Sequence, residues 1–147
     1  MNQERYSFKT DATATVYEFV SDGAKGQIPK LVIFQAMRLE NYYNLAFGDK
    51  DTLTNDFNDL IVSNNGDTNM VLATVAATVI DFTNRYPDAW VFATGSTASR
   101  TRLYRIGIAN NLNEVEGLFE VLGLVNEYWQ TFEKNTNYEA FLIKRKS

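Results

Sequence analysis

The amino-acid sequence predicts an α+β fold in which a mainly antiparallel sheet packs against a long central helix, in the order βββ(β)-α-β-α-α-ββ. Three observations lead to this prediction. The first third holds short segments rich in β-branched and aromatic residues, a segment with helical periodicity follows, and two strand-like segments end the chain. Aromatic residues make up 14% of the 147 residues, which favours a substantial sheet. The length is typical of one domain, so we expect residues 1–147 to form a single α+β domain.

The first half of the chain is expected to supply the first strands. The β-rich segments Thr15–Ser21, Lys30–Met37 and Tyr42–Asp49 are separated by turn-like stretches. Because a parallel crossover needs about a dozen residues, such short connections favour antiparallel hairpins. A further short strand is predicted at Leu60–Ser63, before the Asn-Asn-Gly turn at residues 64–66.

The clearest helix follows this turn. Apolar side chains recur at steps of three and four, which places them on one helical face: Val71, Val75, Val79, Phe82 and Tyr86. Asp67 or Thr68 is a suitable N-cap, and Pro87 is expected to end the helix.

The second half is predicted to begin with a short buried strand at Ala89–Gly95. Two helices are then expected, over residues 96–111 and 113–127, although each interior glycine would cost them about 1 kcal/mol relative to alanine. The chain should close with two strands around a turn at Lys134–Asn137.

Composition excludes several classes of site. The chain has no cysteine and no histidine, so disulfides, thiolate nucleophiles and histidine bases are ruled out. A net charge of −4 disfavours coating of nucleic acid by bulk electrostatics, although a local basic patch could still bind it. The N-terminus lacks an apolar signal region, and no apolar run reaches the roughly 18 residues of a membrane span. We therefore expect a cytoplasmic protein with no membrane partner and no cofactor.

Five segments carry a family resemblance: "YEFVSDGAKGQIPKLVIF", "YNLAFGD", "SNNGDTNMVLATVA", "GSTASRTRLY" and "YEAFLIKRK". In combination they resemble an uncharacterised family of roughly 150-residue proteins from Bacteroidetes-type bacteria, a size typical of one domain. That family has no settled activity, so the resemblance implies no catalytic residues. At the level of topology, antiparallel strands followed by a long helix are similar to the Whirly-like folds that bind single-stranded nucleic acid.

One stretch, "ATGSTASRTRLYRIG" at residues 93–107, combines glycine, hydroxyl and guanidinium groups just after an apolar run. A strand that passes into a helix here would leave the first helical amides without partners, at the positive end of the helix dipole. Guanidinium forks match phosphate and carboxylate geometry. The candidate anion-binding residues are Gly95, Ser96, Thr97, Arg100, Arg102 and Tyr104.

The same residues also fit a helix cap followed by a solvated basic face. In a regular helix Arg100 and Arg102 point about 200° apart, so they cannot both line one pocket. Arg102 and Arg105 share a face, as do Arg100 and Tyr104. The stretch lacks the Gly-Lys-Ser/Thr ending of a P-loop. We therefore expect Arg100 to act with the Gly95–Thr97 amides, and Arg102 to join it only if the turn is irregular.

Two further clusters have simpler explanations. The acidic residues at 49, 51, 56, 59 and 67 could bind a hard cation, but their spacing fails the EF-hand pattern and aspartate is common in turns. The basic residues Lys144–Lys146, with Lys25, Lys30 and Tyr42 or Tyr43, could bind single-stranded nucleic acid. A solubilising tail that protects an edge strand explains the C-terminal charges better.

The leading functional hypothesis is a non-enzymatic binding module for nucleic acid or another phosphate-bearing ligand, with no catalytic residue and no metal. The first alternative is a metal-dependent enzyme acting on a phosphate ester, in which Arg100 steadies the anion and a carboxylate binds the metal. The second is a protein-interaction module, such as a homodimer joined through an exposed aromatic face.

Overall fold

The computed structural model describes residues 4–51, 56–58, 64–95 and 97–146, which form a nine-stranded sheet and three helices. The α+β class and the mainly antiparallel sheet are confirmed. The strands are β1 Lys9–Thr10, β2 Val16–Gly23, β3 Gly26–Ala36, β4 Tyr42–Asp51, β5 Asp56–Asn58, β6 Trp90–Ala93, β7 Phe119–Val125, β8 Tyr128–Thr131 and β9 Ala140–Arg145. The helices are α1 Thr68–Arg85, α2 Ala98–Asn110 and α3 Leu112–Leu118.

Strands β2, β3 and β4 form the antiparallel meander that the sequence predicts. Directly opposite residues share a face of the sheet, so the register assigns Phe19 and Lys30, and then Lys30 and Asp49, to one face. Val32 and Phe47 lie on the same face and are almost fully buried. The helices cover this face, which carries both the core and one buried pair of charges.

Helix α1 packs its apolar side on the sheet, as predicted. The Phe82 ring stacks on Phe34 at a centroid distance of 4.1 Å and meets Tyr43 edge-on at 5.0 Å. The helix has 18 residues, an ordinary length for a globular protein rather than a long one. It ends at Arg85, two residues before the proline expected to stop it.

Asp67 occupies the predicted N-cap position of α1, but its carboxylate makes no capping hydrogen bond. Instead Oδ2 accepts hydrogen bonds from the Tyr6 hydroxyl and the Ser21 hydroxyl, both at 2.5 Å. Burial and the hydrogen bond to Asp67 raise the pKa of Tyr6. Asp67 therefore ties the N-terminal segment and β2 to the start of α1.

The second predicted helix of the C-terminal half is wrong beyond Leu118. Helix α3 ends there, and Phe119–Val125 forms strand β7 with alternating burial. Gly123 explains part of the difference, because a Cβ at this position would lie 2.5 Å from Cγ of the buried Tyr138 ring. Such close contact between a ring and a glycine backbone is typical of a glycine within a strand.

The two closing strands exist as β8 and β9, but they do not pair with each other. Strand β8 pairs with β7, whereas β9 is inserted between β6 and β7, giving the order β1-β2-β3-β4-β6-β9-β7-β8. Strands β4 and β6 are parallel, and α1 lies in the crossover between them. Strands β1 and β5 were not predicted, and the predicted strand at Leu60–Ser63 falls outside the described residues.

The face of the sheet opposite the helices carries aromatic pairs. Tyr42 stacks on Trp90 at 5.8 Å, the Lys144 ammonium lies 6.0 Å from the Trp90 ring, and Phe92 meets Trp129 edge-on.

Of the helices in the described part of the chain, none has the length and apolar character needed to span a bilayer.

Candidate anion-binding site

The turn between β6 and α2 forms where the sequence predicts it. Thr97 is the N-cap of α2, with extended backbone angles of φ −135° and ψ 164°. Its hydroxyl accepts a hydrogen bond from the Arg100 N–H at 3.2 Å, and its carbonyl accepts the helical bond from the Thr101 N–H at 3.0 Å. The amides of Ala98 and Ser99 precede this bond, so they lie at the positive end of the helix dipole. Ser96 lies outside the described residues.

Gly95 is needed for the packing of α2 rather than for the approach of a ligand. Its N–H donates to the Thr101 hydroxyl at 3.0 Å, so this amide is already engaged. A Cβ at Gly95 would lie 2.5 Å from the Thr101 backbone nitrogen and would also overlap Arg100. The first turn of the helix therefore rests directly on the glycine backbone.

Arg100 is a buried side chain on one side of the helix start. It is 8% exposed, and its Nη2 donates a hydrogen bond to the carbonyl of Phe47 on β4. It lines a cleft of about 350 Å³ together with Asp67 and Lys30. The Lys30 ammonium forms a 2.5 Å ion pair with Asp49. The hydrogen bond from Arg100 to Phe47 thus joins α2 to strand β4 of the sheet.

Arg102 and Arg105 line a second and larger cleft of about 640 Å³ on the other side of the helix start. Helical geometry predicted that these two arginines share a face, and both reach this cleft. In the described residues neither guanidinium forms an ion pair with a carboxylate. We call this space the arginine cleft, and its lining residues are Thr94, Gly95, Thr97, Ala98, Ser99, Thr101, Arg102, Arg105, Asn137, Tyr138 and Glu139.

The far wall of the arginine cleft comes from the connection between β8 and β9. Because Ala93 pairs with Phe141 in an antiparallel register, the residues just before β9 lie beside the end of β6. This arrangement brings Asn137 and Glu139 opposite the first turns of α2. No local pattern in the sequence marks these two residues, since their position depends on where β9 inserts.

The sixth predicted residue, Tyr104, lies in the core. It is 7% exposed and lines an apolar cavity of about 60 Å³ between the helices and the sheet, together with Leu72 and Phe119. Among the described members of the predicted set, the arginine cleft thus contains Gly95, Thr97 and Arg102, while Arg100 lies in the neighbouring cleft.

The acidic and basic clusters do not assemble into sites among the described residues. Asp49 pairs with Lys30, and Asp67 accepts from two hydroxyls, while the side chains of residues 51, 56 and 59 fall outside the description. Within the described ranges, no group of three or more acidic side chains could hold a metal ion. Lys30 is 1% exposed, so it cannot contribute to a basic surface with Lys144.

Comparison with known proteins gives a family but no activity. A family model described as "Family of unknown function (DUF6934)" matches residues 2–146, nearly the whole chain. No curated protein and no solved structure matches. A functional assignment must therefore come from the chemistry of the clefts.

Proposed function

The chain belongs to the family of unknown function DUF6934, and we propose that it is a non-enzymatic binding module for a phosphate-bearing ligand held in the arginine cleft. The observation that carries the proposal is the pairing of Arg102 and Arg105. The two guanidinium groups lie three residues apart on α2, line one cleft, and form no ion pair with any described carboxylate.

Charge supports this proposal. The chain as a whole carries a net charge of −4. The charged residues that line the cleft are two arginines and one glutamate, Glu139, so the lining has a net charge of +1. An arginine without a carboxylate partner keeps its planar donor fork available to an oxyanion. The start of α2 adds the partial positive charge of its dipole and the hydroxyls of Thr97 and Ser99.

The size of the cleft favours a ligand larger than a bare anion. Small-molecule sites typically measure about 300–1,000 Å³, and the arginine cleft measures about 640 Å³. A nucleotide fits such a volume, and so does one terminal residue of a single-stranded nucleic acid. The two differ in salt dependence, because a longer strand engages more phosphates and releases more counterions.

The test is direct binding at low salt, with AMP and a labelled single-stranded oligonucleotide as probes. Arg102→Ala and Arg105→Ala should each weaken binding about 10-fold or more, the usual effect of losing a charge-assisted hydrogen bond. Arg38→Ala is the matched control, because Arg38 is exposed in the β3–β4 connection, at the opposite end of β6 from the cleft. Failure of both probes to bind, or unchanged binding by both cleft variants, would contradict the proposal. Release of phosphate from AMP during the assay would favour the enzyme hypothesis instead.

A further inference from the structure

The arginine cleft contains an acidic residue that an anion site does not require. Glu139 lines the same cleft as Arg102 and Arg105, yet in the part of the chain that is described no arginine nitrogen lies within 4.0 Å of its carboxylate. Charges of both signs are thus held apart across the cleft rather than neutralising one another. The arginine cleft can therefore accept a ligand that carries an anionic group at one end, for the arginines, and hydrogen-bond donors at the other end, for Glu139.

Glu139 projects from a fixed backbone position. Its N–H donates to the Leu124 carbonyl at 2.8 Å, and its carbonyl accepts a hydrogen bond from the Thr94 hydroxyl at 2.9 Å. These bonds tie Glu139 to β7 on one side and to the end of β6 on the other. The carboxylate therefore starts from a defined place on the cleft wall.

A carboxylate accepts hydrogen bonds and repels anions. The phosphate of a bound ligand must then lie at the arginines, while the part that reaches Glu139 must offer hydrogen-bond donors. Hydroxyl groups meet this requirement, because they donate hydrogen bonds to a carboxylate without placing a further positive charge in a cleft that holds two guanidinium groups. The amide of Asn137, which also lines this wall, both donates and accepts, as a hydroxyl group does.

We propose that the ligand of the arginine cleft is a sugar phosphate, with its phosphate on Arg102 and Arg105 and its sugar hydroxyls on Glu139 and Asn137. This inference rests on the proposed function and specifies its ligand class. The same chemistry occurs in a free pentose phosphate and in a ribonucleotide. The volume of about 640 Å³ exceeds what a phosphate group alone would fill and leaves room for the sugar.

The experiment compares ribose phosphate, AMP and inorganic phosphate by calorimetry on the full chain and on Glu139→Gln. The native protein should bind ribose phosphate at least about 10-fold more tightly than inorganic phosphate, the size of effect that one hydrogen bond to a charged group provides. Glu139→Gln should lower affinity for ribose phosphate and leave affinity for inorganic phosphate unchanged or higher, because a repulsive charge is removed. A purely structural role for Glu139 would instead change the affinities for the two ligands by a similar factor. Glu133→Gln, an exposed residue in the same connection, serves as the control.

The outcomes separate this inference from the proposed function. If both phosphates bind, Arg102→Ala weakens both, and Glu139→Gln leaves their ratio unchanged, the sugar inference fails while anion binding stands. If neither ribose phosphate, AMP, inorganic phosphate nor the labelled oligonucleotide binds to the native protein at low salt, both fail. A preference for AMP over ribose phosphate would identify a ribonucleotide as the source of the sugar phosphate, and the reverse preference would identify a free sugar.

Discussion

Replacing Gly95 by alanine should destabilise the protein through the start of α2. The added Cβ would lie 2.5 Å from the backbone nitrogen of Thr101 and would overlap the main chain and Cβ of Arg100. A backbone atom cannot rotate away as a side chain can, so the first turn of the helix must move by roughly 1 Å to restore ordinary contact. This movement also distorts the hydrogen bond that the Gly95 N–H donates to the Thr101 hydroxyl.

The size of the effect follows from these contacts. Overpacking a tight position costs about 1–3 kcal/mol, and weakening the hydrogen bonds at a helix start costs about 1 kcal/mol more. We expect a total loss of about 3 kcal/mol. For a chain of 147 residues the unfolding entropy is about 0.3 kcal/mol per kelvin, so the melting temperature should fall by roughly 10 °C.

Urea unfolding followed by circular dichroism measures the loss in the free energy of unfolding, with Gly117→Ala as the control. A Cβ at Gly117 meets no described atom within 4 Å, so alanine there should leave stability unchanged or raise it by up to about 1 kcal/mol. If Gly95→Ala unfolds within about 0.5 kcal/mol of the native chain, a change typical of surface substitutions, the packing explanation for this glycine is refuted. The glycine would then be free to serve the approach of a ligand.

Three further predictions concern the core and the buried polar groups. Gly107→Ala should stabilise α2 by about 1 kcal/mol in thermal unfolding, because its Cβ would meet Leu72 at an acceptable 3.4 Å and alanine favours a helix; a loss of stability would contradict this. Burial, together with the 2.6 Å hydrogen bond to Asp81, raises the pKa of Tyr17 above its usual 10.0. The unfolded chain therefore loses this proton first, so stability should fall as the pH rises above 10.0, with a shallower slope in Tyr17→Phe if urea midpoints are compared. Lys30→Met should cost about 3–5 kcal/mol in urea unfolding, because it leaves the Asp49 carboxylate without its 2.5 Å ion pair, and adding Asp49→Leu should recover most of that loss.

The parts of the fold that local pattern determines were predictable from the sequence. Strands β2 to β4 and helix α1 were placed within a few residues, since runs of β-branched and aromatic residues indicate strands and three-and-four spacing indicates the buried face of a helix. Strand β7 was missed because its apolar run also satisfies a helical spacing. Its identity as a strand depends on pairing with β9, which lies far along the chain. The insertion of β9 beside β6 depends in the same way on long-range pairing.

In the candidate site, too, the features set by local helical geometry were predictable, whereas those set by long-range packing were not. Helical geometry alone indicated that Arg102 and Arg105 share a face and that Arg100 points elsewhere, and the two clefts match that division. Burial of Tyr104 against α1 and the sheet could not be inferred from its own helix. Glu139 was not singled out, because it reaches the cleft only through the placement of the final strand.

The position of β9 has a consequence for folding during synthesis. Strands β6 and β7 both use β9 as a neighbour, and β9 is made after all the other strands of the described sheet. Until the ribosome has passed Arg145, the β7–β8 hairpin has no attachment to the rest of the sheet, and one edge of β6 remains open. Exposed strand edges promote association between chains. A nascent or truncated chain without β9 is therefore an aggregation-prone intermediate, and completion of the sheet is deferred to the last strand.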